Sequence, residues 1–370
     1  MKVVLINSVS GRGSTGKICV DIANEFIRNG DQVVIAYGWN PVPDQYKAIS
    51  FKIGNPFSTY KAVFFSRLFD NDGFSCYHEP KKLLKFLDEY KPDLIWLHNL
   101  HGYYINVRLL FDWIRTNKNV AIKWTLHDCW SFTGHCAYFD FVGCEKWMNG
   151  CEKCPNKSKY PKSLLFDCSK KNYIKKKALF TSIETKRMTL ISPSNWLANL
   201  IHSSFLKQYE IVVKNNTIDT NVFRRVDSDI KAKYGIKNKR IILGVASVWD
   251  NRKGLNDFLR LASIVNSNYA IVLIGLNKNQ IKKLPKNIIG INKTENQNQI
   301  AEWYSSSTCF FLPTYEDNYP TVLLEAKACG CPTYSYDTGG CKEISDYIVH
   351  DISDFYNLLE LNEHAKKNTQ

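Results

Sequence analysis

Apolar and polar positions along this chain fall into blocks whose period switches repeatedly between strand-like and helical. Lys2–Asn7 is a short, nearly continuous apolar run, as expected of a strand covered on both faces. After Gly11, Gly13 and Gly16, the residues Ile18, Ile22, Ala23, Phe26 and Ile27 recur at helical spacing, and Gly30 ends that helix. Gln32–Tyr37 reads as the next strand; Leu94–Leu97, Ala121–Thr125, Leu190–Ser192 and Ile211–Asn215 read as later ones, with helical stretches between most of them. The alternation restarts near residue 239. Arg240–Val245, Tyr269–Ile274, Cys309–Pro313 and Pro332–Tyr336 read as strands, with helices over Leu255–Val265, Gln297–Ser307 and Pro320–Cys329. Such alternation predicts an α/β fold with a doubly wound parallel sheet, twice over. The polar stretch Phe223–Lys239 is the expected linker. The expected domains are 1–222 and 223–345, with a helix in 346–370 returning to the first domain. The two would face each other across a cleft, with ligands at the carboxyl ends of the strands.

Composition narrows the class. The 370 residues suit two domains. A hydrophobic content of 44% is enough for two cores and excludes a disordered chain. No apolar run approaches the ~20 residues that span a bilayer. Met1-Lys2 leads directly into Val3-Val4-Leu5-Ile6, too short a run for a signal peptide, so the expected location is the cytoplasm, where thiols stay reduced. The formal charge of +14 is concentrated. Residues 151–190 hold eleven Lys and Arg against Glu152, Asp167 and Glu184, with Tyr160, Phe166, Tyr173 and Phe180 interleaved. That pattern suits an anionic partner, a membrane surface or a nucleic acid, and equally a solvated helix face.

Three segments carry candidate chemistry. Gly11-Arg12-Gly13-Ser14-Thr15-Gly16-Lys17 has the phosphate-loop spacing between a strand and a helix, but Ile18 stands where a magnesium-binding Ser or Thr is required. What survives is a turn whose backbone N–H groups can meet an anion at a helix start, or a plain tight turn. In the second half, Arg252 and Lys253 precede a helix and are placed to meet a diphosphate. Further on, Pro313 to Ala326 reads as strand, acidic loop (Glu316, Asp317, Asn318) and helix. Glu325 lies inside that helix among apolar neighbours, where a carboxylate is costly unless it accepts hydrogen bonds. A sugar or ribose could supply them; the alternative is an exposed helical Glu.

The Lys-Gly-Leu helix start, the acidic loop with Leu-Leu-Glu-Ala, and Ala-Cys-Gly resemble retaining glycosyltransferases of the two-Rossmann GT-B fold, family 4. The resemblance covers most of the chain. It includes the Gly-rich loop, Thr125-Leu126-His127-Asp128, Ser192-Pro193-Ser194 and Asn215-Asn216-Thr217-Ile218-Asp219. His127 to Pro155 is similar to a bacterial branch that builds capsule, O-antigen or colanic-acid-like polysaccharide, with a Cys- and aromatic-rich loop over about 129–168. The resemblance implies a nucleotide-sugar donor, transfer with retention and no cofactor or metal in catalysis. It places Glu325 on the ribose and Lys253, with Arg252, on the diphosphate. Asp317, or Glu316 before it, falls on the donor sugar, with His127 near the reacting carbon. Asn216 and Asn318 are implied in donor binding, and Gly11, Gly13, Ser14, Thr15 and Gly16 border the acceptor and the phosphates. The family's first motif Glu is Asp317 here, and its Arg upstream of the Lys is replaced within Ser247-Val248-Trp249. The implied acceptor is a glycan on a polyprenyl diphosphate at the inner face of the plasma membrane, with an anionic membrane surface and no nucleic acid as partner. Two rivals are a catalytically weakened scaffold of the same fold and a zinc-containing nucleic-acid-binding protein.

Cys136, Cys144, Cys151 and Cys154 crowd into one loop ending Cys-Glu-Lys-Cys-Pro. Four thiols with one Cys-x₂-Cys pair match the inventory of a structural zinc site, and His135 could replace one of them. Buried free thiols and a disulfide or redox role remain open. Cys19, Cys309, Cys329, Cys331 and Cys341 lie in apolar elements and read as small core residues.

Overall fold

A computed structural model describes residues 1–76 and 80–368. The chain forms two compact units, Met1–Asn215 and Asn216–Gln370. The first holds seven strands: β1 (Lys2–Asn7), β2 (Gln32–Tyr37), β3 (Ser50–Lys52), β4 (Leu94–Leu97), β5 (Ala121–Thr125), β6 (Met188–Ser192) and β7 (Glu210–Val213). Their order is β3-β2-β1-β4-β5-β6-β7, and every pairing is parallel. The second holds β8 (Arg240–Val245), β9 (Tyr269–Ile274), β10 (Ile288–Ile291), β11 (Cys309–Leu312), β12 (Thr333–Tyr336) and β13 (Tyr347–Val349). Their order is β10-β9-β8-β11-β12-β13, again all parallel. Both sheets are therefore doubly wound. The winding reverses between β1 and β4 in the first unit and between β8 and β11 in the second. Loops leaving those strands diverge there and open a crevice at their carboxyl ends.

The apolar runs become central strands because each sheet has a core on both faces. Val4 and Ile6 join one cluster while Val3 and Leu5 join the other. Ile241, Leu243 and Val245 are likewise separated from Ile242. Five cysteines read as core residues, Cys19, Cys309, Cys329, Cys331 and Cys341, are all buried.

The structure departs from expectation at four places. The short edge strands β3, β10 and β13 carry too few residues for a pattern to show. The first helix spans Gly13–Arg28, so the Gly-rich turn forms its opening turn. The division falls at Asn215/Asn216 instead of 222/223, and Phe223–Lys239 is no free linker. Asn216 Nδ2 donates to Tyr319 O (3.0 Å), and Phe223 and Ile230 are buried in the second core. Finally, the C-terminal helix Ile352–Asn368 belongs to the second unit. Phe355 and Leu359 pack in the second core, and Asn362 Nδ2 donates to Tyr334 Oη (2.8 Å).

Phe355 stacks on Phe311 with ring centroids 3.9 Å apart. Phe355→Ala should therefore lower unfolding free energy by about 3–5 kcal/mol, read from the denaturant midpoint of the second unit. A loss below about 1 kcal/mol would contradict this docking of the helix.

Candidate active site

In the second unit the reversal point is lined by charge. The loop after β8 carries Arg252 and Lys253, followed by Gly254, which precedes the helix Leu255–Leu261. The loop after β11 carries Glu316, Asp317 and Asn318 and runs into the helix Thr321–Ala328. The two loops are laced together. Lys253 Nζ forms an ion pair with Asp317, and an Arg252 guanidinium N–H donates to Glu316 O (2.5 Å). Tyr315 N donates to Arg252 O (2.8 Å), and Thr314 Oγ1 to the same oxygen (3.2 Å). Burial pushes the Asp317 carboxyl up, but Lys253 and Arg252 prevail and hold its pKa below the usual carboxylate range. Gly254 has φ +73°, and a Cβ there would lie 2.1 Å from Pro313 O, so only glycine lets the loops approach this closely. Gly340 N, from the loop after β12, donates to Asp317 O (3.0 Å).

The structure thus brings Arg252, Lys253, Glu316 and Asp317 together. Glu316 and Asn318 are buried. Asn216 joins the same loop through Tyr319. Glu325 is half-buried, and Tyr304 Oη donates to its Oε2 (3.3 Å), so it is not the simply exposed helical Glu.

In the first unit the Gly-rich turn leaves β1. Gly11 N donates to Gly16 O (3.0 Å), and a Cβ on Gly11, at φ +65°, would lie 2.7 Å from the Tyr46 ring. Asn7 Nδ2 lies 3.5 Å from Thr15 Oγ1. Gly13 and Ser14 are exposed at the start of a helix that has no side-chain N-cap.

The carboxyl ends of β4 and β5 hold a histidine pair. His98 follows β4 and His127 follows β5, and their rings stack with Nδ1 of His98 3.0 Å from Nε2 of His127. Burial brings the His127 pKa down to about 4 and pulls His98 well below its ordinary value. Behind them His101 Nε2 meets Asp128 Oδ2 (2.7 Å), and His101 Nδ1 meets Tyr160 Oη (2.8 Å). Burial opposes charge on His101, yet the Asp128 carboxylate leaves its pKa raised. Lys176, counted above in the basic stretch, is buried instead. Its Nζ donates to Trp130 O (2.8 Å), and burial lowers its pKa to about 7.

Sequence reasoning missed His98 and His101. The available signal was that His98-Asn99-Leu100-His101 leaves its strand at the position where His127-Asp128 leaves the next one.

Cys136, Cys144, Cys151 and Cys154 line one cavity of about 10 Å³ with His135. Gly134 N donates to Cys151 Sγ (3.1 Å). Among the described residues no three His, Cys, Asp or Glu side chains are already gathered as a metal-holding group.

Known proteins share this architecture. The two doubly wound sheets are the GT-B fold. The Anabaena protein HepE, solved in complex with UDP, superposes on 100% of this chain and 91% of its own with a TM-score of 0.65 at 13% identity. Residues 226–348 match the family model "Glycosyl transferases group 1". The second unit thus resembles group 1 glycosyl transferases over residues 226–348, in a chain of GT-B fold. Over 361 residues the chain is 24% identical to Escherichia coli (strain K12) WcaC, named as a colanic acid biosynthesis glycosyl transferase, covering 93% of this chain and 85% of the relative. It is also 30% identical over 157 residues (40% of this chain, 41% of the relative) to the N,N'-diacetylbacillosaminyl-diphospho-undecaprenol alpha-1,3-N-acetylgalactosaminyltransferase of Campylobacter jejuni.

The depressed histidine pKa values have a direct test. In ¹³C-histidine NMR, the His127 ring, assigned with His127→Gln, should stay neutral from pH 8 to 5.5 and titrate near 4. An unfolded histidine protonates near ~6.5. Below that pH the unfolded chain binds protons that these two rings refuse, so the pair lowers stability as pH falls from about 6.5 towards 4 and leaves it unchanged above. A His127 signal titrating near 6.5 would contradict the burial argument.

Proposed function

We propose that this chain transfers a sugar from a nucleotide-sugar donor, with retention of configuration, to a glycan carried on a polyprenyl diphosphate. The observation that carries the reading is the Arg252–Lys253 pair beside Asp317 at the reversal point of a group 1 glycosyl transferase domain. The donor diphosphate takes Lys253 and Arg252, the ribose takes Glu325, and Asn216 and Asn318 flank the nucleotide sugar. Asp317 and Glu316 serve the donor sugar. The resemblance, and not a placement of the two units, gives His127 the role of reaching the reacting carbon and Gly11 to Gly16 that of bordering the acceptor and phosphates. The bond between the anomeric carbon and the diphosphate oxygen breaks as the acceptor hydroxyl oxygen bonds to the same face of that carbon. The hydroxyl proton passes to the leaving diphosphate. Two cations stabilise the charge that develops there, and no metal is needed. The retaining, front-face course is supported by resemblance and by the pairing of Asp317 with Lys253, which does not suit a free nucleophile.

The acceptor assignment is supported by the substrate in the name of the Campylobacter relative and by the basic first unit. No helix of the described residues is long and apolar enough to cross a membrane. The acceptor reading, and not that absence, supports a peripheral place for the chain at the cytoplasmic face of the plasma membrane.

A screen of nucleotide sugars against a lipid-diphosphate glycan, read by mass spectrometry and by NMR of the new anomeric centre, tests the reading. Lys253→Ala should lower kcat by about 10²–10³. Near-normal turnover would remove the diphosphate assignment.

We also propose one structural zinc held by Cys136, Cys144, Cys151 and Cys154, supported by the single cavity they share. Metal analysis of reduced protein should find about one zinc per chain, lost in Cys151→Ser/Cys154→Ser and kept in Cys168→Ser. Zinc-free protein with all four thiols labelling only on unfolding would establish buried thiols instead.

A further inference from the structure

The helix Pro56–Phe69 is amphipathic the wrong way round. Its buried residues are Thr59, Ala62 and Ser66, all small. Its outer face presents Phe57 (71% exposed), Tyr60 (66%), Phe64 (59%), Phe65 and Phe69 to solvent. The segment Leu164–Phe166 extends this face. Leu164 N donates to Arg67 O (2.6 Å) and Phe166 N to Leu68 O (3.3 Å). Phe166 stacks on Phe69 with centroids 5.7 Å apart, and Leu165 is 63% exposed. A contiguous apolar patch of this kind on a water-facing surface marks an interaction site.

The charge within the patch is basic; of the carboxylates that border it, Asp70 is buried and Asp167 accepts from Ser169 N and Cys154 N. Residues 56–69 and 157–166 contain Lys61, Arg67, Lys157, Lys159 and Lys162 and no acidic residue. Lys61 Nζ sits 4.8 Å from the Phe57 ring centre, so cation and aromatic share the surface. Aromatics that enter the headgroup region beside cations that meet anionic lipid are what an interfacial helix needs. A protein partner would need its own acidic rim around an aromatic-accepting groove; a bilayer supplies both along any line of contact.

We infer that the outer face of Pro56–Phe69, continued by Leu164–Phe166, docks the first unit onto an anionic lipid bilayer. Such docking rests on the reading above, that the acceptor is carried in a membrane, and supplies the surface for it.

The test is flotation of the full chain with vesicles of phosphatidylglycerol and phosphatidylethanolamine, against pure phosphatidylcholine. The wild type should float with the anionic vesicles and be released by high salt. Lys61→Gln/Arg67→Gln/Lys162→Gln should lower the partition coefficient by about 100-fold. Phe57→Ser/Phe64→Ser/Leu165→Ser should lower it at least about tenfold while nucleotide affinity stays at the wild-type value. All three apolar positions are exposed, so the variant keeps the fold. Undiminished vesicle binding in either variant would overturn the inference. So would a wild type that ignores vesicles but dimerises through this face, with the apolar variant monomeric. A wild type that floats normally yet glycosylates no lipid-diphosphate acceptor would sink the acceptor reading and leave the docking face standing.

Discussion

The ion pair between Lys253 and Asp317 ties the loop after β8 to the loop after β11, and the arrangement of the candidate site in the second unit depends on it. A doubly wound sheet opens a crevice where its winding reverses, but it does not by itself decide what lines that crevice. Here a cation from one side and a carboxylate from the other close on each other. The Arg252 contact to Glu316 O, the Tyr315 contact to Arg252 O and the glycine at 254 fix the two loops in register. On the proposed reading, the carboxylate held ionised against Lys253 is a placeholder for a stronger anion: a diphosphate entering the crevice would compete with Asp317 for Lys253 and free the carboxylate for a hydroxyl.

The first unit solves a different problem with the same geometry. Of two histidines at adjacent strand ends, His98 is buried and His127 half-buried, and both have lowered pKa values, while a third is paired with Asp128 behind them. On the proposed reading, a neutral ring could hydrogen-bond a sugar hydroxyl without bringing a second positive charge near an oxocarbenium-like centre. The Asp128 carboxylate raises the pKa of His101, so the ring that takes up a proton most readily is the one behind the pair.

The central strands were legible because a strand buried on both faces must be an apolar run, and β1, β2, β4, β5, β8 and β9 lie where such runs lie. The edge strands β3, β10 and β13 have one neighbour and three or four residues, too little for periodicity to register. In the site, Arg252, Lys253 and Asp317 could each be found from their place after a strand. Their mutual pairing could not, since it joins positions 64 residues apart. Lys176 was hidden in a run of lysines: the helix Ser169–Phe180 is so polar that no buried stripe shows, yet Lys176 is buried against Trp130. Helix Pro56–Phe69 hid for the opposite reason, its large apolar residues facing outward, so that hydrophobic periodicity points to the wrong face.

If Asp317 is the placeholder for the donor diphosphate, removing its charge while keeping its shape must release Lys253. Calorimetric titration of a nucleoside diphosphate into Asp317→Asn, beside the wild type, measures this directly. Tighter binding in the variant, by about tenfold for the loss of one competing carboxylate, together with slower sugar transfer, is the predicted result. Weaker diphosphate binding in Asp317→Asn would contradict the account, because it would mean that the carboxylate orients Lys253 for the phosphate instead of competing with it.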